Sequence, residues 1–426
     1  MLFQNATLCD YQGIKKADLR AQNGLITDIG SLQPLKDEDI YDAKDRILFP
    51  AMIDLNVAPK SLSLSRKNLL SLAQKALKGG AGSILLYPHT TPSCSENGSI
   101  ELIKSLNKES PIHLIPAISP LDSQGKLSDI STLHTNGAKA IFAPSDIDAH
   151  SLMSIAQYAQ MLDIPLMCFC QDSSVADGVM NEGILSASLG LPSIPAYSQT
   201  KEVAKIAEMF KNMPIKLIFD TLVYPRSFEI LQSFRAIHNK TSQKNKDSMQ
   251  FGETPQFFTQ TSIHHLILDE SLCDNYNTAA KLNPPLVEKN AQSKLIEMLQ
   301  NGYIDTLTSL QCADFNSKKD QVFELASFGV DALEIYFPLL YTYLHKAYNI
   351  PLPLISQFTS YTPAQILNLN KGALQEGKIA QLFVFNPHTR FKVNDMFSPY
   401  HQHNLYGNIE AFLSNEILYT PHTKEL

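Results

Sequence analysis

The amino-acid sequence predicts an α/β protein: a closed (β/α)8 TIM barrel with a small flanking β-sandwich domain built from both chain ends. Three observations carry that prediction. Strand-like runs recur eight times with helix-length amphipathic segments between them. The two ends carry short alternating segments that stand outside this pattern. A chain of 426 residues also fits one barrel of about 250 residues with insertions and a smaller domain.

The strand-like runs lie at 47–57, 83–87, 112–117, 138–142, 165–169, 215–219, 257–268 and 304–308. They are apolar and bounded by turn residues, as strands buried on both faces are. Segments 65–78, 149–162, 196–211, 225–238 and 289–300 carry apolar residues at helical spacing, so strand and helix alternate and a parallel closed sheet is the economical solution. Residues 24–29, 378–385 and 417–419 read as further strands at the two ends. The division is therefore 1–49 for the N-terminal part of the small β domain, 50–375 for the barrel, and 376–426 for the C-terminal part. The polar, lysine-rich stretch 239–256 is expected to be a flexible insertion.

Composition narrows the function classes. Net charge is −7, with 44% hydrophobic and 18% charged residues, so there is no basic excess for nucleic acid or anionic lipid. No signal peptide or membrane span is indicated. Cys9, Cys94, Cys168, Cys170, Cys273 and Cys312 are scattered without a CxxC pair, which fits reduced thiols and a cytoplasmic setting. No phosphate-binding GxxxxGK[ST] loop and no Gly-x-Ser-x-Gly elbow is present.

Residues 47–60, Ile-Leu-Phe-Pro-Ala-Met-Ile-Asp-Leu-Asn-Val-Ala-Pro-Lys, resemble the first barrel strand of dihydroorotases and other cyclic amide hydrolases of the amidohydrolase superfamily. There, Pro-Gly-Phe-Ile-Asp is followed by His-x-His-Leu-Arg. Further blocks follow in the family's order: Asn181-Glu182-Gly183, Gly190-Leu191-Pro192-Ser193-Ile194-Pro195, His264-His265-Leu266, and Lys281-Leu282-Asn283-Pro284-Pro285-Leu286. Ala326-Ser327-Phe328-Gly329 through Glu334, Thr362-Pro363-Ala364-Gln365 and Lys371-Gly372 complete the set. The resemblance spans nearly the whole chain.

The resemblance implies one or two zinc ions at the carboxyl ends of the strands, which lower the pKa of a bound water, and an Asp on the eighth strand as general acid/base. Carried over residue by residue, the positions of the His-x-His pair are Asn56 and Ala58. The acidic ligand of the fourth strand falls at Ala143, the His residues of the fifth and sixth strands at Phe169 and Thr221, and the general acid/base at Leu310. An amide is a poor zinc ligand and a methyl group is none. Substrate-binding positions fall on Lys60, His89, Asn283 and Gly329, and Lys at an Arg position loses the two-point grip on a carboxylate.

The expected protein is therefore a pseudoenzyme of the dihydroorotase-like class, with no catalytic residue, no metal and no cofactor. Inactive members of this kind support aspartate transcarbamoylase in pyrimidine biosynthesis, so the resemblance implies that partner and a homo- or hetero-oligomer. Two other readings stand beside it: an active dihydroorotase or related hydrolase with an unrecognised metal site, and a metal-free module binding a pyrimidine-related ligand. Asp54 is expected to face inward two residues before Asn56, as a relic held by backbone donors. His264 and His265, read as neighbours on a strand, are expected to be structural.

Overall fold

The structure, a computed structural model, describes residues 1–244 and 255–420. The barrel is formed by β1 (Met52–Ala58), β2 (Ala81–Leu86), β3 (His113–Ile118), β4 (Ala140–Pro144), β5 (Leu166–Phe169), β6 (Lys216–Asp220) and β7 (Gln256–Ser262). The last strand, β8, runs in two pieces, Thr306–Thr308 and Gln311–Cys312. Neighbours pair in parallel, and Gln311 opposite Val57 and Cys312 opposite Ala58 close the ring onto β1.

Alternation along each strand divides its side chains between two cores. Ile53, Leu55, Leu85, Ile115, Phe142, Met167 and Ile218 fill the barrel interior. Ile84, Leu86, Leu114, Ile141, Ala143, Cys168 and Phe219 belong to the outer core beneath the helices. Those helices include α1 (Arg66–Gly79), α2 (Asn97–Leu106), α3 (Ile130–Thr135), α4 (Ala149–Leu162), α5 (Tyr197–Phe210), α6 (Pro225–Lys244) and α7 (Lys289–Gln300). Local chemistry sets their ends: Ser65 accepts from the Asn68 N–H at the start of α1, and Asp148 accepts from Ser151 N–H at the start of α4.

The chain ends form two further sheets. Leu25–Gly30, Asp18–Gln22, Leu2–Gln4 and Ile40–Asp42 make one of four strands. The other, of six strands, orders Ile417–Tyr419, Asn404–Ser414, Leu382–Lys392, Ile47–Pro50, Thr7–Asp10 and Gly13–Lys16. Phe3, Leu8, Leu19, Ile26, Leu48, Leu382 and Val384 form a shared core between them, which is the packing of a sandwich.

Three sequence expectations change. The run 47–57 is two strands: Ile47–Pro50 pairs with 382–385 in the end sheet, and β1 begins after Ala51, whose N–H donates to Gln381 O. The run 257–268 leaves the strand at Ser262 and turns into a short helix, Ile263–Ile267. The expected insertion at 239–256 lies for 245–254 outside the described residues, while the chain up to Lys244 continues α6 and Gln256 opens β7. Among the described residues no helix is long and apolar enough to cross a membrane.

Candidate functional site at the barrel mouth

The carboxyl ends of the strands surround a cavity of about 200 Å³ lined by Asn56, Ala58, Leu62, Tyr87, Phe142, Phe169, Asp220, Leu282, Asn283, Leu310, Gln311, Cys312, Phe328 and Gly329. A register shift in β1 between Asp54 and Val57 brings both Asn56 and Ala58 to this mouth. Asp54 meets β8 instead, where it accepts from Thr308 Oγ1 at 2.5 Å, Ser309 N at 2.9 Å and Asn56 N at 3.2 Å. Burial raises its pKa against these hydrogen bonds. Its partners make it a tie between the first and last strands, which the alternation expected for β1 did not place.

The residue that sequence reasoning missed is Asp220. The sixth-strand position was placed at Thr221, but β6 ends on Asp220, and Asp220 is the one that lines the cavity. Thr221 lies behind it at φ +45°, fully buried, donating its hydroxyl to Asp220 Oδ1 at 3.0 Å. Asp220 also accepts from Gln260 Nε2 at 2.5 Å and, through Oδ2, from Asn56 Nδ2 at 2.9 Å. Burial pushes its pKa up to about 6. An acidic side chain closing an apolar strand was the available signal; the resemblance pointed to the next residue, and successive strand residues face opposite sides.

The fourth strand shows the same one-residue difference. Ala143 packs in the outer core, and Phe142 is the wall residue. Of the remaining expected positions, Asn56, Ala58, Phe169, Leu310, Asn283 and Gly329 line the cavity. Lys60 does not: it is exposed, with its ammonium 4.8 Å from the Phe315 ring centroid. His89 stands behind the wall, its Nδ1 3.1 Å from Ser119 Oγ and its ring edge-on to Tyr87 and Phe142.

His264 and His265 are fully buried and use both ring nitrogens. His264 Nε2 donates to Ser309 O at 2.8 Å, so its Nδ1 accepts from the Tyr400 hydroxyl at 2.7 Å. His265 Nε2 donates to Pro284 O at 3.0 Å and its Nδ1 accepts from Ser262 Oγ at 2.7 Å. Burial pushes their pKa values down to about 3 and about 4, which keeps both rings neutral.

The zinc implied by the family resemblance needs imidazole, thiolate or carboxylate donors converging from several strands. The mouth supplies one carboxylate, already accepting three hydrogen bonds, and the Cys312 thiol, whose pKa burial raises to about 11. The other wall positions carry the amides of Asn56, Asn283 and Gln311, the Tyr87 phenol and hydrocarbon side chains, and among the described residues no three His, Cys, Asp or Glu gather. This donor set does not fit a divalent cation.

A parallel eight-stranded barrel with its cavity at the carboxyl ends of the strands, and a β-sandwich made of both chain ends, is the architecture that the resemblance to amidohydrolases implies. A profile described as the amidohydrolase family matches residues 263–409. A second profile, described as dihydro-orotase-like, matches residues 45–213. A dihydroorotase-like protein of Helicobacter pylori is 27% identical over 414 residues, covering 97% of this chain and 96% of its own length. A dihydroorotase of Acetivibrio thermocellus is 27% identical over 414 residues, covering 93% of each. In fold the chain is similar to the L-hydantoinase (dihydropyrimidinase) of Arthrobacter aurescens, with a TM-score of 0.84 at 16% identity over 100% of this chain and 97% of that one.

Proposed function

We propose that this chain is a non-catalytic member of the dihydroorotase-like family that serves as a structural partner in pyrimidine biosynthesis, supporting aspartate transcarbamoylase. The observation that carries the reading is the composition of the mouth. At the positions to which the resemblance carries metal ligands and a general acid/base stand Asn56, Ala58, Ala143, Phe169, Thr221 and Leu310, and of these Asn56, Ala58, Phe169 and Leu310 line the mouth. Without a metal to acidify water, hydrolysis of a ring amide needs a base and an acid at the substrate. The single carboxylate, Asp220, is engaged by three side chains instead. The partner comes from the family resemblance, and the relatives named dihydroorotase make the opposite outcome a concrete one.

The test measures zinc content and dihydroorotate turnover on one purified sample, then co-elution with the transcarbamoylase of the same organism. Neither metal nor turnover, with co-elution, is the expected result. Stoichiometric zinc with turnover would establish an active hydrolase. A second reading, a metal-free binding module, is favoured by one feature: the mouth is relined, yet a cavity of about 200 Å³ stays open.

A further inference from the structure

Two amides, Asn56 and Asn283, line this cavity without being fully spent, and the orientation of Asn56 is set by the hydrogen bond behind it. A carboxylate only accepts hydrogen bonds, so Asp220 Oδ2 fixes the Asn56 side chain with its NH2 group toward β6, at 2.9 Å. The amide is then oriented by its partner rather than free to flip. Its other end, Oδ1, accepts from no described residue and is what Asn56 turns to the cavity it lines. Gln311, also in the lining, is spent: its Oε1 accepts from Ala332 N and Leu333 N, each at 2.9 Å, and its Nε2 donates to Asp331 at 3.1 Å.

Around that acceptor the walls are flat and apolar. Tyr87, Phe142, Phe169 and Phe328 supply rings, and Leu282 and Leu310 fill between them. A dry cavity of about 150 Å³ takes benzene, so about 200 Å³ takes one ring with a small substituent. No Lys or Arg is among the lining residues described, and Asp220 lines the cavity beside Asn56. A ligand anion would meet that carboxylate with no compensating cation.

We infer that the mouth binds a small, planar, uncharged ring carrying an N–H donor, held between the aromatic walls with the donor on Asn56 Oδ1. This deepens the metal-free binding reading and rests on it; it requires no transcarbamoylase partner. The ligand class differs from a carboxylate-bearing cyclic amide in charge, because Lys60, at the position that would receive a carboxylate, lies outside the lining and no other cation takes its place there.

The experiment titrates the full-length protein, in chelator-treated buffer, with 2-aminopyrimidine, pyrimidine and benzoate, using calorimetry and saturation-transfer NMR. 2-Aminopyrimidine is expected to bind at least about fivefold tighter than pyrimidine, in line with one neutral hydrogen bond, and benzoate not to bind. Asn56→Leu should remove that preference. Ala58→Leu, which fills the cavity and leaves the Asn56–Asp220 pair in place, should abolish binding of both rings and carries the test if Asn56→Leu does not fold. Equal binding of pyrimidine or benzoate, or binding unaffected by Ala58→Leu, overturns the inference. Failure here without zinc or turnover leaves the non-catalytic reading standing, whereas turnover of dihydroorotate would overturn that reading by itself.

Discussion

Asp220 carries a cost that its neighbours only partly offset. Burial raises its pKa to about 6 from an ordinary value of 3.8, while hydrogen bonds from Gln260, Thr221 and Asn56 pull the other way. An acid whose folded pKa lies above its unfolded one contributes stability that is fully present below about pH 4 and is lost as pH rises through about 6. The two-unit gap corresponds to something on the order of 2–3 kcal/mol. Asp220→Asn removes that titration. Urea unfolding of the two proteins at several pH values is therefore expected to show the native chain losing stability relative to the variant by about that amount between pH 4 and pH 6.5. A constant difference across this range would mean that Asp220 is not held as a buried acid.

At the scale of elements, the segment after β7 depends on two neutral imidazoles. His264 bridges the short helix Ile263–Ile267 to Ser309 and to Tyr400, both through buried hydrogen bonds. His264→Leu leaves a carbonyl and a hydroxyl unpartnered, at about 1–3 kcal/mol each, so a loss of about 2–6 kcal/mol is expected in chemical unfolding. The histidines also oppose Asp220 in their pH response. Their folded pKa values are depressed, so their contribution is present above about pH 6.5 and lost as pH falls toward 4, and His264→Leu should flatten that acid limb. Helix α1 offers a second element test. Ala exceeds Gly by about 1 kcal/mol in an ordinary helix, yet a Cβ on Gly79 would lie 1.7 Å from Leu333 O. Gly79→Ala is accordingly expected to lower the melting temperature rather than raise it.

These elements also show what could be read in advance. Strands buried on both faces announce themselves as apolar runs, and α4 and α7 fall on the predicted spans 149–162 and 289–300 because their apolar spacing and flanking residues agree. The break of 47–57 into two strands was hidden because both halves are equally apolar, and only pairing with 382–385 separates them. The turn at Ser262 was hidden because its histidines find their partners at Pro284, Ser309 and Tyr400, distant in sequence. At the site, the family order of motifs singled out Asn56, Ala58, Phe169 and Leu310, and the cavity includes all four. Phe142 and Asp220 were missed because a single residue of register decides which face a strand side chain takes.

For the whole molecule, the decisive quantity is how much a metal contributes to holding the barrel together. An ion bound at a thousand times its dissociation constant adds about 4 kcal/mol to folding stability, enough that stripping it would lower the melting temperature by several degrees in a chain of this size. In this barrel the strands that such an ion would tie are already tied by protein groups. Asn56 Nδ2 joins β1 to Asp220 on β6, Gln260 on β7 joins the same carboxylate, and Asp54 joins β1 to Thr308 and Ser309. Prolonged chelation is therefore expected to leave the melting temperature within about 1 °C of the untreated protein, and added zinc to leave it equally unmoved. Replacing Asn56 and Ala58 together by His should reverse the second result only in part: the paired imidazoles would bring a zinc-dependent stabilisation without dihydroorotate turnover, because Leu310 still supplies no acid or base. Turnover that appears only in that double variant would show that two imidazoles at these positions suffice for hydrolysis without a rebuilt wall.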